Sequence, residues 1–402
     1  MFSTIERKRS LCYNTERRNS DRRLTIEQTY IFSAPGRTEL GGNHTDHQRG
    51  CVLAAAVDLE TTAQVRLNGT NVIRVFSEGY VPVEVHLDDL GVHEGEENTT
   101  AALVRGVAAE FARCGAKMQG FDAHVQSTVL PGSGLSSSAA FEVLVGTILN
   151  ELFFDKALAP AEIARIGQYA ENVYFGKPCG LMDQMASAVG GMVFIDFEYP
   201  ACPVVERIDF DLAGAGYALC IIDTGADHAD LTAEYAAIPG EMREICRYFG
   251  KDVLRQIPKT EFFAALPQLR GRVPDRAILR AIHFFNENER AQRQAEALRA
   301  GDADAFLRLV KESGRSSWMY LQNITPAGAV EQQAVAVALA LCEELLDGRG
   351  ACRVHGGGFA GTVQAFVPQD MLDAFRTGVE AVLGEGKCHV LSVRAAGGVR
   401  VK

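Results

Sequence analysis

An excess of positive charge is missing from this chain: 51 acidic residues outnumber 40 lysines and arginines, leaving a formal net charge of −11. That balance argues against any role resting on a basic surface, whether toward nucleic acid or an anionic membrane. Long apolar runs are missing too, so no membrane-spanning helix is expected. The stretch from Met1 to Tyr30 is charged and mixed, without the basic stub and apolar core of a secretory leader, and the expected location is the cytoplasm. Ten cysteines are scattered without a Cys-x-x-Cys pair, which reads as reduced, core-packed thiols and not as a disulfide framework or a zinc site.

Several catalytic signatures are incomplete. No Gly-Lys-Ser/Thr follows a glycine loop, so there is no Walker A site. His355-Gly356-Gly357-Gly358 copies a lipase oxyanion loop, yet no Gly-x-Ser-x-Gly accompanies it. Gly356 to Gly361 fits the dinucleotide fingerprint, but the strand-like "TVQAFVP" follows where that site needs a helix. Asp223-Thr224-Gly225 stands alone, whereas aspartic proteases use two such motifs. His86, His124, His283 and His389 are read as structural histidines.

What is present is a chain of 402 residues with 47% hydrophobic content, enough to bury a large core in two or three domains. Apolar alternation predicts strands in "TYIFSAPG", "VLAAAVDLETTAQVRL", "VIRVFS", "VEVHL", "FDAHVQSTVL", "GGMVFIDF", "VVERIDF", "YALCIID", "ACRVHGGGFAGTVQAFVP" and "HVLSVRAAGGVRV". Helical periodicity covers "TAALVRGVAAEFARCG", about Leu231–Phe249, Asp275–Ala300, Ala303–Gly314 and Val330–Leu346. The class is α/β (α+β), with two domains divided at residues 1–197 and 198–402, where the pattern restarts across a Pro-containing segment.

The densest chemistry lies in four stretches. "PGSGLSSSAA" (Pro131–Ala140) places two glycines and three serines where an apolar helix begins. Its backbone N–H groups and the positive end of the helix dipole suit a phosphate. An ordinary capped helix after a turn has the same composition, so this stretch alone leaves both readings open. "APGRTELGGNHTDHQRG" (Ala34–Gly50) packs Arg37, Glu39, Asn43, His44, Asp46 and His47 into one connection. "AENVYFGKPCGLMDQMAS" (Ala170–Ser187) puts Asp183 twelve residues after Glu171, and "RVHGGGFAGTVQAF" (Arg353–Phe366) is a third glycine loop.

In order and spacing these motifs resemble those of the galactokinases of the GHMP kinase superfamily, over most of the chain from Ala34 onward. The resemblance implies a two-domain fold with the active site in the interdomain cleft, and transfer of a phosphoryl group from ATP, with Mg2+, to the C1 hydroxyl of galactose or a close relative. It implies Asp183 as catalytic base and Arg37 as transition-state stabiliser. Gly132, Ser133, Gly134, Leu135, Ser136, Ser137 and Ser138 match the ATP phosphate loop, and Ser77 matches a further nucleotide contact. Ser138 and Glu171 match the magnesium ligands, and Asn43, His44, Thr45, Asp46 and Tyr235 the sugar contacts. These assignments suit the needs of phosphoryl transfer, which are positioning, cationic stabilisation and a carboxylate on the accepting hydroxyl.

Departures cluster on the sugar side. Glu39 replaces the family's Asn, Asn43 its Glu and His47 its Tyr, while Thr100 and Leu103 replace an aromatic pair near the adenine. In the family the Glu matching Asn43 accepts a hydrogen bond from the C6 hydroxyl. Its replacement by an amide, with a protonated His47, makes galacturonate an alternative substrate. A non-catalytic sugar sensor is the reading from another functional class, and the intact serines, Glu171 and Asp183 count against it.

Overall fold

Strand β2 (Cys51–Leu67) shows why this sequence builds two layers of core. Its first seven residues are all buried, because alternate side chains enter different cores. Val52 and Ala54 join one cluster, and Leu53, Ala55 and Val57 join another. From Thr61 onward buried residues alternate with more exposed ones, as a half-covered strand should. The structure is a computed structural model describing residues 28–129, 134–226 and 231–402. Gly132, Ser133 and the N-terminal stretch up to residue 27 lie outside the described residues.

The first sheet holds β1 (Tyr30–Gly41), β2, β3 (Val72–Ser77), β4 (Val83–His86), β5 (Phe121–Ser127), β6 (Met192–Asp196), β7 (Val204–Ile208) and β12 (Val399–Arg400). Its order is β12-β1-β2-β5-β3-β4, with β6 on the first half of β2 and β7 beyond it. Helices α1 (Thr100–Arg113), α2 (Ser137–Phe153), α3 (Pro160–Tyr169) and α4 (Met182–Val189) cover one face. The other face packs on α6 (Asp275–Arg299), α7 (Ala303–Ser316) and a second antiparallel sheet, β11-β8-β10-β9. Those strands are β8 (Tyr217–Asp223), β9 (Ala351–Val354), β10 (Thr362–Pro368) and β11 (Cys388–Leu391). Helices α8 (Ala334–Leu346) and α9 (Leu372–Leu383) close its far side. Helix α5 (Thr232–Tyr248) packs on α6 in a further cluster.

This is the mixed α/β architecture expected, but the sheets do not change at residue 197. β7 pairs with β6, and β12 returns from the C-terminus to pair with β1. Helix α8 begins at Ala334, not Val330, because the preceding segment turns through Pro326 and a left-handed Gly328. Cys51, Cys220, Cys246, Cys342, Cys352 and Cys388 are buried free thiols, in keeping with core packing. Among the described residues no helix is long and apolar enough to cross a membrane.

Candidate active site

Two irregularities in the β1–β2 ladder aim the chemistry. The register shifts between Pro35 and Arg37 and again between Glu39 and Gly41. Bulges of this kind re-aim side chains out of a regular pleat. Arg37 is thereby directed at helix α4, where it grips Asp183 with two parallel hydrogen bonds, Nε to Oδ1 at 2.8 Å and Nη2 to Oδ2 at 2.7 Å. Arg37 also donates through Nη1 to the Gly134 carbonyl and through its backbone N–H to Leu135 O at 3.0 Å, tying β1 to the loop before α2. Asp183 keeps 31% of its side chain exposed, so a second molecule can reach it. Burial raises its pKa, but the Arg37 charge and bonds and a hydrogen bond from Ser136 outweigh that and hold it below the ordinary carboxylate range.

Helix α2 starts at Ser137, and its N-cap Ser136 is left-handed, with no hydrogen bond from its side chain to the first turn. The first-turn amides therefore face the loop without a serine cap, the arrangement an anion needs. Leu135 is different: its side chain is buried in the core, leaving only its backbone at the loop. Ser77 ends β3 opposite Val125, on the sheet.

One turn of π-helix, Ala170–Phe175, follows α3 and positions Glu171. Such turns recur at functional sites because they displace a single side chain from helical register. Glu171 is buried, and Ser138 Oγ donates to its Oε1 at 3.3 Å. Gln184, the residue after Asp183, donates from one nitrogen to Glu171 Oε2 at 2.8 Å and to Glu142 Oε2 at 3.0 Å. Burial first, and Glu171 second, push Glu142 well above its ordinary pKa. Ser138 and Glu171 are hard oxygen donors on converging elements. Among the described residues no cluster of three or more His, Cys, Asp or Glu could cage a metal. Two protein oxygens completed by phosphate and water is the usual magnesium arrangement, and the pair fits it.

The sugar loop is built differently. Asn43 is wholly buried. Its Nδ2 donates to Glu39 Oε1 at 3.1 Å and Gly356 O at 2.7 Å. Its Oδ1 accepts from Ser317 Oγ at 3.3 Å and Asn323 Nδ2 at 3.0 Å. Those four bonds exhaust an amide side chain, so the expected contact between Asn43 and a sugar is not what the structure shows. Thr45 is also buried, with its hydroxyl 2.8 and 2.7 Å from the Gly42 and Cys51 carbonyls, where it holds the turn together. Burial, with His44 and Arg243 nearby, lowers the His47 pKa far below its usual value, against the charged imidazole that the uronate reading needs.

His44 and Tyr235 both engage the third glycine loop. His44 Nε2 lies 3.0 Å from Gly357 O, and the Tyr235 hydroxyl donates to Gly358 O at 2.8 Å. Tyr235 also packs edge-on against Phe359, and a Cβ at Gly357 would stand 2.7 Å from its ring, so only glycine admits that approach. Asp46 is raised in pKa by burial and by Asp183, and a Cβ at Gly180 would stand 2.2 Å from its Oδ2. Arg37 thus pairs with Asp183, Asp46 lies near that pair, and His44 and Tyr235 meet on the glycine loop. Leu103 is buried and Thr100 opens α1.

Sequence reasoning missed the support beneath that loop. Arg353 is fully buried and ion-paired with Glu39. His283 donates from Nε2 to Asn43 O at 2.9 Å, and its Nδ1 accepts from Ser316 Oγ at 2.9 Å. Glu287 takes the Gly42 N–H at 3.2 Å and the Ser313 hydroxyl at 2.6 Å. The available signal was the run of polar residues at helical spacing, Arg280, His283, Glu287, Arg290 and Gln294, on the side of the helix that the structure buries.

Residues 102–191 match the family profile of the GHMP kinase N-terminal domain, and residues 23–67 the galactokinase galactose-binding signature. The chain is 32% identical over 355 residues to a galactokinase of Streptomyces coelicolor, covering 87% of each. Its structure is similar to that of Lactococcus lactis galactokinase complexed with galactose, with a TM-score of 0.79 and 26% identity over 94% of this chain and 96% of that one. Methanococcus jannaschii mevalonate kinase shares the fold, with a TM-score of 0.65 and 13% identity over 92% of this chain and 99% of that one.

Proposed function

The chain belongs to the galactokinase family, and from that premise we propose that it phosphorylates galactose at C1 with ATP, using Asp183 and Arg37 at the reacting atoms. The observation that carries this reading is the Arg37–Asp183 pair, at 2.7 and 2.8 Å, beside the uncapped start of α2. The C1 oxygen forms its bond to the terminal phosphorus as the bond from that phosphorus to ADP breaks. The hydroxyl proton passes to Asp183. A carboxylate clamped by arginine is a weak base, which suits a loose transition state in which the nucleophile is deprotonated late. Asp183 thus orients the hydroxyl first and takes its proton last, while Arg37 fixes the carboxylate and adds positive charge.

The α2 amides, with Ser136 and Ser137, would receive phosphate oxygens. Magnesium, held by Ser138 and Glu171, would neutralise charge on the phosphates. Gln184 fixes the other Glu171 oxygen, so Oε1 faces Ser138. His44 through Nδ1, Asp46 through its carboxylate and Tyr235 through the acceptor capacity its hydroxyl keeps while donating to Gly358 O are the groups proposed for the sugar. Galacturonate is not favoured: its premises were an Asn43 amide aimed at C6 and a charged His47, and the first is occupied within the protein while burial disfavours the charge of the second.

A sugar panel in a coupled ADP assay tests the function. Galactose is expected to exceed galacturonate and glucose by more than about tenfold in kcat/KM, or 1.4 kcal/mol. The product phosphorus should couple to the anomeric proton in NMR. ADP formation that ignores added sugar, or that prefers the uronate, would overturn the reading.

A further inference from the structure

Lys177 is a cation that the mechanism above leaves unused. The left-handed Gly176 ends the π-helical turn, and the Lys177 N–H returns to the Glu171 carbonyl at 3.1 Å, so its Cα is pinned above Glu171. The ammonium then lies 3.3 Å from Glu171 Oε1, on the same oxygen that Ser138 Oγ approaches at 3.3 Å. Both contacts are long beside the usual charge-assisted bond of about 2.8 Å, so neither is held firmly. The Lys177 side chain is 60% exposed while Glu171 is only 4% exposed. A partly exposed ion pair of this kind adds little to stability, and a long flexible stem leaves the ammonium free to move.

The oxygen Lys177 occupies is the one a magnesium ion on Ser138 and Glu171 would use. Two cations on one carboxylate oxygen repel strongly at such distances. The ammonium has to leave when the ion arrives, and the phosphate chain at the α2 N-terminus is the negative charge within reach of its stem. Resting on the function proposed above, we infer that Lys177 is a phosphate-contacting residue that passes from Glu171 Oε1 to the nucleotide's phosphate chain as the metal–nucleotide complex binds.

This exchange predicts two effects of opposite sign for Lys177→Met, which a merely structural lysine would not produce. With Mn2+ alone, followed by water proton relaxation, the variant should bind the ion severalfold more tightly, because the competing ammonium is gone. A non-hydrolysable ATP analogue with saturating Mg2+, so that the metal site is filled in both proteins, should bind about tenfold more weakly to the variant by calorimetry, the order expected for one charge-assisted contact. Galactose affinity and the unfolding midpoint should not change, and Lys177→Arg should restore analogue binding. The inference is overturned if Lys177→Met binds the analogue as tightly as wild type, or if Mn2+ and analogue binding weaken together. Wild-type ADP formation with galactose is the control: its absence would remove the proposed function, while its presence with unchanged analogue binding would remove only the role of Lys177.

Discussion

Two sets of residues, one gathered around Arg37 of β1 and the other around Glu39 and the turn that follows β1, employ their polar groups in opposite ways. At Arg37, Asp183, Ser138 and Glu171 the groups keep capacity open: Asp183 is reachable, the first turn of α2 has no serine cap, and Glu171 Oε1 has two loosely placed donors. At Glu39, Asn43 and Thr45 the side chains are closed on protein partners: Glu39 pairs with Arg353, Asn43 makes four hydrogen bonds, and Thr45 bonds the Cys51 carbonyl. Open groups can answer a substrate, whereas closed ones fix a loop. The first region should therefore govern rate and the second stability, although both are polar, glycine-rich and drawn from adjacent motifs.

The largest separation is expected from Asp183→Asn. It should lower kcat by about 10²- to 10⁴-fold, the usual contribution of a group placed on the reacting proton. Its unfolding free energy should fall by about 2–3 kcal/mol, since one of the two Arg37 bonds and the counter-charge are lost although Asp183 is partly exposed. Stopped-assay kinetics with denaturant titration of the same sample reads both.

Arg353→Met should do the reverse. Leaving Glu39 buried without its cation should cost about 3–5 kcal/mol of stability, with kcat of the folded fraction close to wild type. Adding Glu39→Gln to that variant should return part of the loss, because no lone carboxylate is then left in the core. A kcat loss as large as that of Asp183→Asn would erase the contrast.

A smaller effect distinguishes the regions by pH. Burial lowers the His283 pKa to about 4, so its stabilising contribution is complete above the unfolded value near 6.5 and is lost as pH falls from there toward 4. The difference amounts to about 3 kcal/mol. Glu142 tilts the other way, because a raised carboxyl pKa gives a contribution complete below about 4.5 that declines as pH rises. Glu287, near Arg290 and held at about 2 despite burial, changes only in stronger acid. Unfolding curves of His283→Gln and Glu142→Gln against wild type, from pH 4 to 7.5, should diverge in opposite directions.

Much of the scaffold was legible because its signals are local. The unbroken apolar start of β2, then its alternation, reports burial on two faces and then on one. The meeting of Ser138, Glu171 and Asp183 was legible only through resemblance, since no spacing rule links a loop, a π-helical turn and α4. The closure of the sugar loop was not legible at all. Asn43 meets His283, Ser317 and Asn323 across 240, 274 and 280 residues, and Glu39 meets Arg353 across 314. Loop composition cannot reveal partners at that range. The same limit hid the pairing of β7 and β12 with the first sheet, which depends on where the chain returns and not on what β7 or β12 contain.

The most direct test is the ratio of kcat/KM for galactose to that for 6-deoxygalactose, measured on wild type and Asn43→Ser. If Asn43 holds the loop and does not touch the sugar, the variant loses about 1–3 kcal/mol of stability through unpaired buried groups while the ratio stays within roughly twofold, since discrimination at C6 is set elsewhere. A ratio that collapses by more than about tenfold in a variant of unchanged stability would place Asn43 on the C6 hydroxyl and contradict the division between the two sets of residues.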